Sequence, residues 1–287
     1  MLNTPPLQAP QSGASGPVGV FDSGIGGLSI LKALRQRMPQ EDFVYISDQG
    51  HAPYGERGDE FVRDRSRVLT EALVGFGAKA VVVACNTATA AAIHELRQHW
   101  PQLPVIGVEP ALKPAALQTR TGHVAVMATR GTLNSPKFQR LLGQQDPGLD
   151  IRCQPCDGLA DAIENRNENR IAHYCRQYLA QTGPWTEGRD TPDTLVLGCT
   201  HYPLVLPYWL SELPPHVTVL DTGAPVAEQT RRRLAQSGQL RQPSCPETPE
   251  PSGQVSWFTT GEVEHLERAI QHWLPEAAGP CQPLTKR

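Results

Sequence analysis

The sequence predicts an α/β protein whose parallel sheets are covered by helices on both faces. Three observations carry this expectation. Short β-branched apolar runs alternate with longer helix-patterned segments along the chain, which is how βαβ units read in sequence. The residues just past the predicted strands are unusually reactive, and ligands of parallel sheets bind beyond the carboxyl ends of the strands. Two of these strand ends, in AVVVACNTATA and TLVLGCTHYPL, echo one another. Their cysteines, Cys85 and Cys199, stand about one domain's length apart.

Taken in order, residues 17–21 (PVGVF) read as a strand and 25–37 as a helix, followed by a strand at 42–47 (DFVYIS). Residues 59–76 place Val62, Leu69, Leu73 and Phe76 near one helical face. A strand at 79–84 (KAVVVA) leads into an alanine-rich helix at 87–100. A strand at 104–108, a helix near 110–117, a strand at 123–128 and a helix at 133–142 come next. The second half gives a short strand at 151–153, a long helix at 159–180, a strand at 194–198 and a helix at 204–213. A strand at 217–220, a helix at 225–236 and a strand at 254–259 follow, with a last helix ending near Trp273. Residues 237–253, dense in Pro, Gln, Ser and Glu, are expected to form a surface excursion. Residues 275–287 read as a Pro-rich tail, and 1–16 as a disordered leader without the basic start and apolar stretch of a secretory signal.

Composition narrows the function classes. A length of 287 residues with 39% hydrophobic and 19% charged residues can bury one large or two ordinary cores. The net charge of -3 gives no electrostatic reason to expect nucleic acid or an anionic membrane surface as partner. No apolar run approaches the roughly 20 residues that span a bilayer, so a cytoplasmic protein is expected. Seven cysteines scattered over a chain without a secretion signal point to reduced thiols.

Two thiols on opposite walls of one cleft suit a reaction that removes a proton from one face of a carbon and returns it to the other. A free thiol has a pKa near 8.5. The helix following each strand is expected to lower it through its positive N-terminus and backbone N–H groups. Other segments are weaker. Asp22 precedes a glycine-rich turn and could simply cap the next helix. Gly24-Ile25-Gly26-Gly27 lacks both the GxGxxG spacing and the lysine of a phosphate loop, which argues against a nucleotide-binding protein. Cys153 and Cys156 form a CxxC, but no second pair completes a zinc site. Cys175, Cys245 and Cys281 read as bystanders, and Trp257 and Trp273 as packing.

The segments VFDSGIGGL (20–28), Pro53-Tyr54-Gly55, Cys85-Asn86-Thr87, GVEP (107–110), ATRGT (128–132) and GCTHYP (198–203) resemble, in order, the motifs of the glutamate racemases. The resemblance covers residues 18 to about 235. It implies two pseudo-symmetric α/β domains with the active site in the cleft between them. The expected division is 17–111 with 220–274 for the domain carrying Cys85, and 112–219 for the domain carrying Cys199.

The same resemblance implies cofactor-independent interconversion of L- and D-glutamate, supplying D-glutamate for peptidoglycan synthesis. No pyridoxal group or metal is expected, and the family analogy implies a homodimer. Cys85 and Cys199 become the two acid–base groups, the first working on the D-enantiomer and the second on the L-enantiomer. Asp22 assists Cys85, and His201 assists Cys199. Ser23, Tyr54, Gly55, Asn86, Thr87 and Thr200, with Asp22 and His201, hold the substrate, and Glu109 and Thr132 are candidate supports. An aspartate or hydantoin racemase and a racemase-like regulatory protein are the competing readings. The chain departs from the family around Cys153–Cys156, where the usual Cys-Pro pairing is altered.

Overall fold

The computed structural model describes residues 15–242 and 253–285. All but the last two residues of the leader expected at 1–16 lie outside these, as does most of the excursion expected at 237–253. A first sheet begins with β1 (Val18–Asp22), α1 (Leu28–Arg37), β2 (Phe43–Ser47), α2 (Asp59–Gly75), β3 (Ala80–Val83), α3 (Asn86–His99) and β4 (Val105–Gly107). After α4 (Leu112–Gln118) the chain enters a second sheet through β5 (His123–Ala128), α5 (Arg130–Asn134), α6 (Pro136–Leu142) and β6 (Asp150–Pro155). It continues with α7 (Leu159–Glu164), α8 (Glu168–Thr182), β7 (Thr194–Leu197), α9 (Leu206–Glu212) and β8 (Thr218–Leu220). It then returns through α10 (Gly223–Gln236) and completes the first sheet with β9 (Val255–Thr259), α11 (Val263–Trp273) and β10 (Cys281–Pro283).

Among the described residues, every strand pairing is parallel. The orders are β10-β9-β2-β1-β3-β4 and β6-β5-β7-β8. Each sheet reverses direction beside its first strand: β2 lies on one side of β1 and β3 on the other, and β6 and β7 flank β5 in the same way. Such a reversal leaves an open crevice at the strands' carboxyl ends, because successive crossovers leave on opposite faces. Cys85 follows β3 and Cys199 follows β7, so the two cysteines occupy corresponding crevices. Alternate residues feed separate cores. Val18, Val20 and Val82 pack on one face of the first sheet, and Phe21, Val81 and Val83 on the other. Burial of both faces explains why these strands read as continuous apolar runs.

Four expectations are corrected. The helix expected at 133–142 is two helices, because Pro136 holds Ser135 extended (φ -67°, ψ 140°) and Ser135 Oγ then caps α6 by accepting from Phe138 N at 3.1 Å. The helix expected at 159–180 breaks between α7 and α8, where Arg166 takes a φ of 51° and Asn167 caps α8. The helix expected from residue 25 starts at Leu28, leaving 24–27 as a turn. The tail is not wholly outside the fold: Cys281–Pro283 pair with β9 at the sheet edge, where a proline's missing donor costs nothing. Among the described residues, no helix is long and apolar enough to cross a membrane.

Candidate active site

The reactive groups of the first sheet are delivered by the ends of β1 and β3. Asp22 is the last residue of β1 and is fully buried. Its Oδ2 accepts from Gly27 N at 2.7 Å, and its Oδ1 lies 3.5 Å from the Ser23 hydroxyl. Ser23 Oγ in turn lies 3.6 Å from Cys85 Sγ, so the serine bridges carboxyl and thiol. Cys85 occupies the N-cap of α3, and its Sγ accepts from Ala88 N at 3.5 Å.

The expected lowering of this thiol's pKa is not what results. Burial pushes it up, the Asp22 carboxyl adds to this, and the Ala88 N–H and Ser23 hydroxyl only partly oppose it. Cys85 therefore rests as a thiol, which is the form that donates a proton. Burial also raises Asp22, against the opposing pull of His201 and the Gly27 N–H.

The second sheet delivers the other half. Past β7, Cys199 Sγ lies 3.7 Å from His201 Nδ1, and His201 Nε2 lies 2.6 Å from Glu164 Oε1. Burial opposes an imidazolium at His201, but the Cys199 sulfur and the Glu164 carboxylate outweigh it and raise the pKa. Burial likewise opposes the Glu164 carboxylate. The two histidines His201 and His265, with the Ile25 N–H, overcome this and bring Glu164 down to about 2.

The same carboxylate ties the two sheets together, since Glu164 Oε1 also accepts from Ile25 N at 2.9 Å. Ser29 Oγ donates to Thr200 O across the same boundary at 2.7 Å. This close docking explains the glycine-rich turn. A Cβ on Gly24 would lie 1.9 Å from Glu164 Oε1, and one on Gly26 only 2.4 Å from His201 Nδ1 and 2.7 Å from Thr200 Oγ1. Gly26→Ala is expected to lower stability by about 1–3 kcal/mol through overpacking and to impair the Cys199 side by displacing His201. Denaturant titration and steady-state kinetics check both effects.

Between the two halves lies a cavity of about 780 Å³. Its lining includes Asp22, Ser23, Tyr54, Gly55, Cys85, Asn86, Thr87, Thr132, Cys199, Thr200 and His201, so the structure brings these sequence candidates together. Asn86 is buried, yet neither polar atom of its side chain has a hydrogen-bond partner among the described residues. Such a group costs free energy unless something polar satisfies it. The wall at 53–55 is held from below by the buried Asp48, which accepts from Arg65 at 2.9 and 2.7 Å, from Thr260 Oγ1 at 2.8 Å and from the Tyr54 hydroxyl. Tyr54 thus spends its hydroxyl on its own loop.

Glu109 is the candidate that the structure sets apart. After β4, Val108 turns into the core and Glu109 turns outward, where Lys137 Nζ lies 2.5 Å from its Oε1. It borders a separate cavity of about 670 Å³ with Arg97 and Arg233. Sequence reasoning missed Glu164 and His265, which line the larger cavity together with the strand-end Thr129 and Cys156. For Glu164 a signal existed: the run Glu164-Asn165-Arg166-Asn167 is rich in helix-ending asparagine. Cys156, buried with its Sγ 3.6 Å from Met127 Sδ, had been read as half of a CxxC. Among the described residues, no group of three His, Cys, Asp or Glu side chains could hold a metal ion.

The chain is similar to known proteins over most of its length. The Asp/Glu/hydantoin racemase family profile matches residues 28–230. The glutamate racemase of Ectopseudomonas mendocina is 44% identical over 268 residues, covering 91% of this chain and 96% of that one. Among solved structures, a glutamate racemase isoform of Bacillus anthracis superposes with a TM-score of 0.80 at 33% identity, covering 94% of this chain and 97% of its own. The Escherichia coli glutamate racemase, solved with L-glutamate and the activator UDP-MurNAc-Ala, superposes with a TM-score of 0.76 at 28% identity, covering 94% and 98% of the two chains.

Proposed function

This chain belongs to the Asp/Glu/hydantoin racemase family, and on that premise we propose that it interconverts L- and D-glutamate by proton transfer between Cys85 and Cys199. The observation that carries the reading is that both cysteines, each at a switch point of its own sheet, line one cavity. The glutamate racemases that the chain resembles over nine-tenths of its length supply the substrate. In the L-to-D direction, Cys199 as thiolate takes the Cα proton and Cys85 as thiol gives one to the opposite face. The reverse direction exchanges the roles. Each turnover leaves the two sulfurs in swapped protonation states, and solvent exchange resets them.

The surroundings of the two sulfurs fit these roles. An imidazolium at His201, favoured by Glu164, sits 3.7 Å from the Cys199 sulfur. Asp22 acts on Cys85 through Ser23. Asn86, Thr87, Thr132, Thr200 and the backbone at Gly55 receive the ammonium and carboxylates through charge-assisted hydrogen bonds. The substrate's own ammonium brings positive charge toward the buried Cys85 and Asp22, offsetting the burial that keeps that thiol neutral. The carbanion is stabilised by these fixed dipoles. Supply of D-glutamate for peptidoglycan, a cytoplasmic location and a homodimer belong to the same reading.

Incubation with L- or D-glutamate in deuterated water, without added cofactor, tests it. Racemisation with deuterium at Cα is the expected result. Exchange with aspartate but not glutamate would keep the chemistry and change the substrate. Silence from folded protein toward glutamate, aspartate and hydantoins would overturn the catalytic reading in favour of a regulatory protein.

A further inference from the structure

Glu164 uses one carboxylate oxygen fully. Oε1 takes both the His201 Nε2 contact at 2.6 Å and the Ile25 N–H at 2.9 Å. Oε2 is buried and has no hydrogen-bond partner among the described residues. Facing it at 3.4 Å is His265 Nε2, which is also buried and also without a hydrogen-bond partner. Two complementary polar atoms 3.4 Å apart, each without another hydrogen-bond partner among the described residues, form a contact that tightens at little cost.

His265 is well placed to impose a position. It sits in the first turn of α11, whose Leu266, Ala269 and Ile270 are anchored in the core of the first sheet. Glu164 ends α7 of the second sheet. The imidazole borders the cavity that contains both cysteines.

We infer that His265 is a positioning residue for the Cys199 half of the reaction: by donating to Glu164 Oε2 it fixes the carboxylate that orients His201 against Cys199. This rests on the functional reading above. His265 touches neither cysteine in the structure's hydrogen bonds, so its influence runs through Glu164 and His201. It also makes the C-terminal helix of one half part of the proton-transfer apparatus of the other.

The test compares His265→Phe, which fills the volume without a donor, and His265→Gln, whose amide nitrogen reaches a similar place. Both are measured against the unaltered protein with α-protonated and α-deuterated L- and D-glutamate. Misplacement of a catalytic group by about 1 Å costs on the order of 100-fold, so the phenylalanine variant is expected to lose roughly 10- to 100-fold in kcat/KM. Because racemisation has an equilibrium constant of one, that loss is equal in both directions and does not locate the defect.

The isotope effects do locate it. If the Cys199 step is impaired, the α-deuterium effect rises for L-glutamate, whose proton Cys199 removes, and falls for D-glutamate, whose proton Cys85 removes. A loss of folded protein would move neither. The glutamine variant should recover most of the rate and both isotope effects. Isotope effects unchanged in His265→Phe, or a glutamine variant no better than phenylalanine, would overturn the assignment. An unaltered protein that does not racemise glutamate would overturn the functional reading first and this inference with it.

Discussion

Cys85→Ser and Cys199→Ser are each expected to lower kcat/KM for glutamate racemisation by roughly 10³- to 10⁴-fold, the upper range for removal of a general acid or base. A hydroxyl fits where the thiol was but is far too weak an acid to exist as its anion in a buried site. The losses should not add. Both thiols serve one proton relay, so the double variant should be little worse than either single one.

The two variants should differ in what survives. With Cys199 gone, Cys85 can still take the Cα proton of D-glutamate and return a solvent deuteron to the same face. Cys199→Ser is therefore expected to exchange D-glutamate faster than L-glutamate, with almost no inversion, and Cys85→Ser the reverse. Proton NMR in deuterated water reads both quantities. Equal residual exchange of the two enantiomers would count against assigning one cysteine to each face.

Glu164→Gln removes a charge while keeping nearly the same shape, and it should cost both activity and stability. His201 loses the carboxylate that favours its imidazolium, so kcat/KM is expected to fall on the order of 100-fold. Breaking a buried ion pair costs about 3–5 kcal/mol, and this should appear in denaturant titration near neutral pH.

The pH dependence has a definite sign. Glu164 is held at about 2 in the folded protein, below the ordinary glutamate value. Its contribution is therefore present above the ordinary value and is lost as pH falls toward 2. His201 is raised, so its contribution is present below the ordinary histidine value and is lost as pH rises through the folded one. The stability gap between the unaltered protein and Glu164→Gln should be widest between these limits and narrow on acidification. A gap independent of pH from neutrality to pH 2 would show that the carboxylate's charge is not what stabilises the pair.

The sequence by itself determined the strand–helix alternation, because both faces of the central parallel strands β1, β2, β3 and β7 are buried and most of their residues are apolar. It also determined the chemistry of the strand ends. There packing does not explain a residue choice such as Asp22-Ser23, Cys85-Asn86-Thr87 or Cys199-Thr200-His201, and the order of these motifs identified the family. Pro136 and the Asn165–Asn167 break were written in the chain too, but periodic apolar spacing ran across both and hid them.

Only the tertiary structure decided the rest. The glycines at 24 and 26 have no unusual φ to announce them; they are required because Glu164 and His201 arrive from a different sheet. The direction of the Cys85 pKa was missed because local reasoning counted the helix N-terminus, while burial and the neighbouring Asp22 act through space. Glu109, read as a support for the site, faces away because the chain turns after β4. Glu164 and His265 are a hundred residues apart in sequence and meet only where the two sheets close on one another. Local sequence specifies elements and the residues at their ends. Which distant groups share a low-dielectric cavity, and so set each other's charge, is fixed only when the sheets pack.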